Sequence, residues 1–295
     1  MKNELLAMKT FTTVVDTQNF SSAARLLGVG QSSVSRRVAD LETHLGTALL
    51  VRTTRSVRPT EVGLRYYESA RSALAAVDAA RATAMIEPRG LTGTLRAGCG
   101  VTFGNSWLAP RLCAWLVAHP DLRLEMVPSD THVDLVSAGL DISLRFGGPS
   151  TSELVGRRLR VFTRSMMASP AWVDHHGLPS TPQDLRDHRG LLFGDAATRE
   201  WELQRGSERI TVRPDRVVVA STGSFLETLA RQGLGPVLMP QWIGDPAEAS
   251  GALVRLLPDW YGEPLTLWAV RPKHRYASAA TRLFLEWMVE QAHPS

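Results

Sequence analysis

Leu5, Met8, Phe11 and Val15 recur three and four residues apart, which predicts an amphipathic helix over about 3–17. A second, shorter helix follows, with Ser21 or Ser22 as its cap and Ala23, Ala24, Leu26 and Leu27 on its buried side. Gly28-Val29-Gly30 reads as a tight turn with a central apolar plug. A third helix is expected from about Gln31 to Leu45, where Val34, Val38, Leu41 and Leu45 form one stripe and Gly46 supplies the stop. Leu49-Leu50-Val51 then reads as a strand, and Val57 begins another after a polar turn. Thr60 opens a long helix expected to end at Glu87, before Pro88. Its apolar positions, Tyr67, Ala70, Leu74 and Val77, alternate three and four apart among many alanines. At 1.5 Å per residue such a rod is roughly 40 Å long. A rod of that length cannot bury its stripe on a small head, so pairing with a second copy is expected.

The texture changes after Glu87–Gly93, EPRGLTG, a hinge by composition. TLRAGCGV reads as a strand, SWLAPRLCAWLVAHP as a helix, LRLEMVPS as a strand, THVDLVSAG as a helix and DISLRFG as a strand. That βαβαβ order implies a parallel sheet with right-handed crossovers. Further strands are expected in RRLRVFTRSMMAS, VRPDRVVVAS, GPVLMP and LTLWAVR, and helices in STGSFLETLARQG and ASAATRLFLEWMVEQ.

The polar positions of the third helix change the picture. Its first turns carry Gln31, Ser32, Ser33, Ser35, Arg36 and Arg37 away from the stripe. Short hydroxyl side chains allow close approach to another surface. Arginine can fork onto guanine or onto phosphate, and glutamine can pair with adenine. A helix, a short glycine-containing turn and a helix studded with donors is the helix-turn-helix layout. The two-stranded wing would set Arg52, Arg55 and Arg58 beside the DNA backbone, positioning the module without reading sequence. Charge agrees. Residues 1–58 hold Lys2, Lys9, Arg25, Arg36, Arg37, Arg52, Arg55 and Arg58 against Glu4, Asp16, Asp40 and Glu42, an excess equal to the whole chain's formal +4. The remainder is balanced, so a polyanion partner is expected for the head alone.

The segment from Phe11 to Gly63 resembles the winged helix-turn-helix of the LysR-type transcriptional regulators. The resemblance lies in Phe20, Ala23-Ala24, Leu27, Gln31, Val34-Ser35, Val38, Leu41-Glu42, Leu45-Gly46, Leu49, Arg52, Arg55, Thr60 and Gly63. Two positions depart from the family pattern: Gly30 stands in place of a usual serine, weakening the cap of the reading helix, and Ser32 in place of a common proline. SELVGRRL, MASPAWVDHHGLPSTPQDLRDH and ASTGSFLETLARQGLGPVLMP are similar to parts of the family's effector domain. The resemblance implies an α/β chain with an N-terminal winged helix-turn-helix at 1–59, a dimerisation linker helix at 60–87, a hinge at 88–92 and an effector domain at 93–295. That domain is expected to resemble periplasmic binding proteins, with lobe I at about 93–162 and 266–295 and lobe II at about 163–265. It implies a homodimer or homotetramer on double-stranded DNA with a two-fold symmetric operator, controlled by a small-molecule effector.

Open α/β sheets bind ligands beyond the carboxyl ends of their strands. Those ends place Thr102, Phe103, Gly104, Ser129, Asp130, Phe146, Ser221 and Thr222 around the cleft as effector-binding candidates. Helix N-termini beside the hydroxyls of Thr102, Ser221 and Thr222 favour an anion. Phe193 and Trp201 are expected in core packing ahead of any role as a cleft wall.

Other classes fit less well. Gly98, Gly100 and Gly104 follow a strand and Asp130 ends the next one, as in a dinucleotide-binding enzyme. Pro110 interrupts the helix that such a loop should open, and a winged head has no place in a plain oxidoreductase. No nucleophile elbow and no zincin motif occurs, so no catalytic residue, metal site or cofactor is expected. A transport binding protein would need an export signal, and MKNELLAMKTFTTVVD does not read as one. No apolar stretch approaches a membrane span, and a cytoplasmic location is expected. Cys99 and Cys113 are read as two small buried hydrophobes.

Overall fold

The computed structural model describes residues 4–52, 57–84, 93–130, 133–273 and 277–292. The head is a three-helix module. Helix α1, Glu4–Thr17, buries Ala7, Phe11 and Val14. Helix α2, Phe20–Leu27, is capped by Asn19, whose side chain accepts from the Ser22 amide. The cap is therefore neither Ser21 nor Ser22: Asn19 alone has the extended backbone that an N-cap needs. Helix α3, Gln31–Leu45, begins at Gly30 without a side-chain cap, as the glycine there leads one to expect. Val34, Val38 and Leu41 are fully buried against Phe11, Val14, Ala23 and Leu49. Gly46 ends α3 at φ 67°, a left-handed value that glycine adopts at little cost.

Strands β1, Leu50–Arg52, and β2, Val57–Pro59, pair antiparallel as a short wing. Arg55 lies outside the described residues, as do the hinge at 88–92 and the expected end of the long helix. Helix α4 is described from Glu61 to Ala84. The Thr60 hydroxyl accepts from the Gly63 amide at 2.9 Å and so caps it. A Cβ on Gly63 would fall 2.0 Å from the Leu49 carbonyl oxygen, so only glycine lets α4 seat this closely on the head. That contact alters the expectation for the rod. Tyr67 and Ala70, placed above on a face for a second copy, are buried within their own chain. Tyr67 joins the head core and α10 also lies against α4, whereas Leu74 and Val77 stay half-buried.

The body is built from two parallel units. In the first, β3 (Gly93–Cys99) lies between β4 (Leu122–Pro128) and β5 (Ile142–Phe146). In the second, β7 (Arg189–Phe193) lies between β10 (Arg216–Ala220) and β11 (Val237–Pro240). Two long strands, β6 (Leu154–Ala168) and β12 (Val254–Pro272), pair antiparallel and join the units into one sheet of order β10-β7-β11-β6-β12-β5-β3-β4. The hairpin β8 (Trp201–Arg205) and β9 (Glu208–Val212) attaches to β12.

After β3 the chain forms α5, Val101–Phe103, a π-helical turn at Gly104–Leu108, and α6, Ala109–Ala118. The wide turn passes the chain into α6 with Pro110 in its first turn, where the missing N–H costs least. Helices α7 (Pro170–His176), α8 (Gly223–Arg231), α9 (Gln241–Ala249) and α10 (Ala279–Ala292) complete the cover. One core runs beneath both units, from Leu95, Trp115 and Phe284 to Leu226, Val237 and Trp242.

One expected helix is absent. Residues 135–139 of THVDLVSAG form turns, and 133–134 before them are not helical. The Asp134 carboxylate accepts from the Val136 amide and the Ser137 hydroxyl, offering the backbone a local alternative to helical bonding, and Gly139 at φ 62° closes the turn. Among the described residues no helix is long and apolar enough to cross a membrane.

Candidate DNA-reading head and effector cleft

Helix α3 presents its buried stripe inward and its polar edge outward. Gln31, Ser32, Ser33 and Arg36 are exposed, and Ser35 and Arg37 are half-buried. Six donor-bearing side chains thus lie over the first two turns of a helix that the head core holds rigidly. The Gln31 amide oxygen accepts from the Ser21 hydroxyl of α2 at 3.0 Å, which orients that side chain and ties the two helices together at the polar edge. The tie occupies one of the two groups that a bidentate adenine contact needs. Arg58 is exposed on β2, opposite Val51, and Arg52 ends β1.

Sequence reasoning passed over Glu42. Its carboxylate accepts from the amides of Leu49 and Leu50, at 2.8 and 2.9 Å. One acidic side chain on α3 therefore fixes the root of the wing. The pairing Leu41-Glu42 at the edge of the apolar stripe was the available signal, because a carboxylate there faces the returning chain.

In the cleft the carboxyl ends of β3, β4 and β10 do converge, but the candidate residues divide. Asp130 accepts from the Val101 amide at 2.8 Å through Oδ1, which places its carboxylate at the start of α5. The Ser129 amide donates to the Cys99 carbonyl. Asp130 is thus engaged with the glycine-rich loop itself, where the enzyme reading would have it hold a ribose. Its Oδ2 is buried without a hydrogen-bond partner, and so is the Trp242 indole nitrogen on α9.

Thr102 reaches across the cleft. It is 8 % exposed, and its hydroxyl accepts from the Ser224 amide in the first turn of α8 at 3.1 Å. The first residue of α8, Gly223, packs directly on that side chain. Thr222 occupies the cap position of α8 without using its hydroxyl as a cap, and Ser221 is exposed beside it.

Phe103 and Gly104 do not line the cleft. Phe103 is 2 % exposed, stacked on Trp107 and edge-on to Phe146, Phe162 and Trp242. The short α5 carries it inward, because successive side chains on a helix are set about 100° apart and Phe103 therefore leaves the direction of Thr102. Gly104 faces Cys99, whose sulfur would lie 2.7 Å from an added Cβ. Phe146 stands at the edge of this aromatic group, with its ring flat on Trp242 at 4.8 Å. Because Trp242 belongs to α9, the stack joins the two parallel units. Trp201 is core, as expected, but Phe193 is 59 % exposed. It ends β7, just past the run Gly190–Leu192 that the fold buries.

The cysteines also separate. Cys99 is buried, and burial, followed by the Asp130 carboxylate, pushes its thiol up to about 11. Cys113, expected to be buried, is exposed on α6, because that helix places it opposite Leu112 and Trp115.

Comparison with known proteins covers both parts. The family described as the LysR substrate binding domain matches residues 88–293, and that described as the bacterial regulatory helix-turn-helix protein of the lysR family matches residues 5–64. An HTH-type transcriptional regulator of Haemophilus influenzae is 34% identical over 93% of this chain and 96% of its own length. An HTH-type transcriptional repressor of Pseudomonas aeruginosa is 31% identical over 98% of this chain and 92% of its own. The solved structure of CrgA, a LysR-type transcriptional regulator from Neisseria meningitidis, is 29% identical and superposes with a TM-score of 0.62 over 97% of this chain and 98% of that one.

Proposed function

The chain belongs to the LysR-type family of bacterial transcriptional regulators, and from that premise we propose which of its residues read DNA and which receive the effector. It is a DNA-binding regulator with an effector-binding domain, and not an enzyme. The observation that carries the reading is the two-sided build of α3, with fully buried Val34, Val38 and Leu41 beneath an edge of serines and arginines.

In this reading α3 enters the major groove. Arg36 contacts base edges, Ser32, Ser33 and Ser35 allow close approach, and Gln31 and Arg37 contact the flanking backbone or bases. Arg52, Arg55 and Arg58 of the wing bind phosphates. The half-buried Leu74 and Val77 of α4 meet a second copy, so that two heads engage a two-fold symmetric operator. Arg36→Ala tests the reading role. Binding to a duplex selected by the protein should lose about 1–3 kcal/mol of discrimination against a single-base variant. Arg58→Ala should weaken all duplexes alike and flatten the salt slope by about one. Unchanged discrimination for Arg36→Ala removes it from the reading role.

The lobe boundaries are placed at 162–163 and 265–266, a division supported by β11 joining β6 from Arg164 and β5 joining β12 from Leu267. The effector lies between them, near Thr102, Ser129, Asp130, Phe146, Ser221 and Thr222. Its anionic group faces Ser221, Thr222 and the N-terminus of the nine-residue α8. A donor on the same molecule, an ammonium or hydroxyl, serves the buried, unpartnered Oδ2 of Asp130. A second anion beside that carboxylate would be repelled, which favours an amino or hydroxy acid over a simple anion.

A further inference from the structure

The DNA-reading head and the effector domain of one chain touch through a compact polar joint outside the cleft. Arg71 of α4 donates to the Gly139 carbonyl at 2.6 Å and to Asp141 Oδ1 at 2.8 Å. Both side chains are largely buried, 15% and 13% exposed. Asp141 Oδ2 accepts from the Arg96 amide at 2.9 Å, and the Asp141 amide donates to the Arg96 carbonyl. The Arg96 guanidinium lies 3.0 Å from Glu125 on β4 and 3.4 Å from Asp16 on α1. Asp16 in turn accepts from the Tyr67 hydroxyl of α4. Gly139 is confined by its neighbours, since a Cβ there would lie 3.3 Å from Arg71 and 3.4 Å from Arg96.

We propose that Arg71 and Asp141 are positioning residues that fix the angle of the DNA-reading head against the effector domain of the same chain. Stability alone does not call for such a pair. A buried ion pair is often matched or exceeded by apolar side chains of the same volume, whereas its loss on one side leaves a costly unpaired charge. What the pair supplies is one defined arrangement. The planar Arg71 fork satisfies a carbonyl and a carboxylate together, and a small rotation of α4 breaks both contacts.

The joint also lies on the strands whose carboxyl ends form the cleft. Asp141 precedes β5, whose other end is Phe146 on the Trp242 ring. Arg96 lies on β3, which runs to Cys99 and the Val101–Asp130 contact. Two hydrogen-bonded strands therefore connect the effector side chains to the linker helix, and displacement of either strand end shifts the seat of Arg71.

The test uses the full-length protein and duplexes bearing two copies of a half-site enriched from a random pool, with the natural spacing or with half a helical turn inserted. This inference rests on the paired heads proposed above, so the mass of the complex is measured by sedimentation on the same samples. The wild type should lose about tenfold or more in affinity when about 5 bp are inserted. Arg71→Met, which keeps most of the side-chain volume, and Asp141→Asn, which keeps its shape, should each reduce that penalty to about threefold or less while leaving single half-site affinity within about twofold of wild type. Asp141→Asn alone decides the matter if Arg71→Met does not fold. A dimer whose variants keep the full spacing penalty overturns the joint, as does a wild-type dimer indifferent to spacing. A fall in single half-site affinity equal to the fall on the paired site also overturns it, because the residues would then support the head's own fold. A monomer on paired sites overturns the pairing and this inference with it.

Discussion

Tyr67 shows how much one side chain on α4 carries. Its ring lies in the head core, and its hydroxyl donates to Asp16. Burial, with Asp16 adding and Arg71 opposing, pushes its pKa up to about 12. The folded chain therefore holds this proton more tightly than the unfolded chain, whose tyrosine titrates near 10. The stability so gained is complete below pH 10 and is lost as pH rises through about 12. Tyr67→Phe should cost about 1 kcal/mol near neutral pH. The difference in melting temperature between the two proteins should shrink as pH rises from about 9 to 12. A difference that is constant or grows over that range contradicts the assignment. Sequence periodicity identified Tyr67 as apolar and inward but gave it to a second copy, because spacing along a helix says nothing of which surface covers it. Cys113 was misplaced for a related reason: two residues on one short helix can look alike in sequence and lie on opposite faces.

At the scale of elements, the head was the most legible part of the chain. A stripe of Val34, Val38 and Leu41, bounded by two glycines, leaves little freedom in where a helix starts, stops and faces. The wing followed from the same reading, but its anchor did not. Glu42 accepts two backbone amides whose positions depend on where the chain returns, and helical periodicity carries no record of that. Glu42→Ala should destabilise the head by about 2 kcal/mol, since it leaves two amides without their charged acceptor. The loss is measurable as a shift in the urea midpoint of the full-length protein. No shift would show that water replaces the carboxylate. The false helix at THVDLVSAG had the opposite origin. Apolar spacing suited a helix, but Asp134 satisfies nearby donors locally and the turn wins. Phe103 and Gly104 were drawn into the cleft by their place after a strand, and α5 with the π-helical turn after it buries both.

For the whole molecule, the alternation of strands and helices after Gly93 predicted parallel β units, and the structure holds two of them. Strands β6 and β12 each read as a single ordinary strand, although at 15 and 19 residues they span both units. Their continuity makes the cleft a seam between halves of one sheet, closed by Thr102 on α8 and by Phe146 on Trp242. Thr102→Val removes the acceptor for the Ser224 amide and should lower the response to an added effector without changing DNA affinity in its absence. An unchanged titration would take Thr102 out of the cleft's working set. The central claim is that the polar edge of α3 reads base sequence, and enrichment of random duplexes by the full-length protein at physiological salt tests it most directly. The account predicts recovery of a two-fold symmetric sequence that binds about a thousandfold more tightly than the starting pool, and its loss in Arg36→Ala. A pool that stays random after repeated selection, bound weakly and equally throughout, would contradict it.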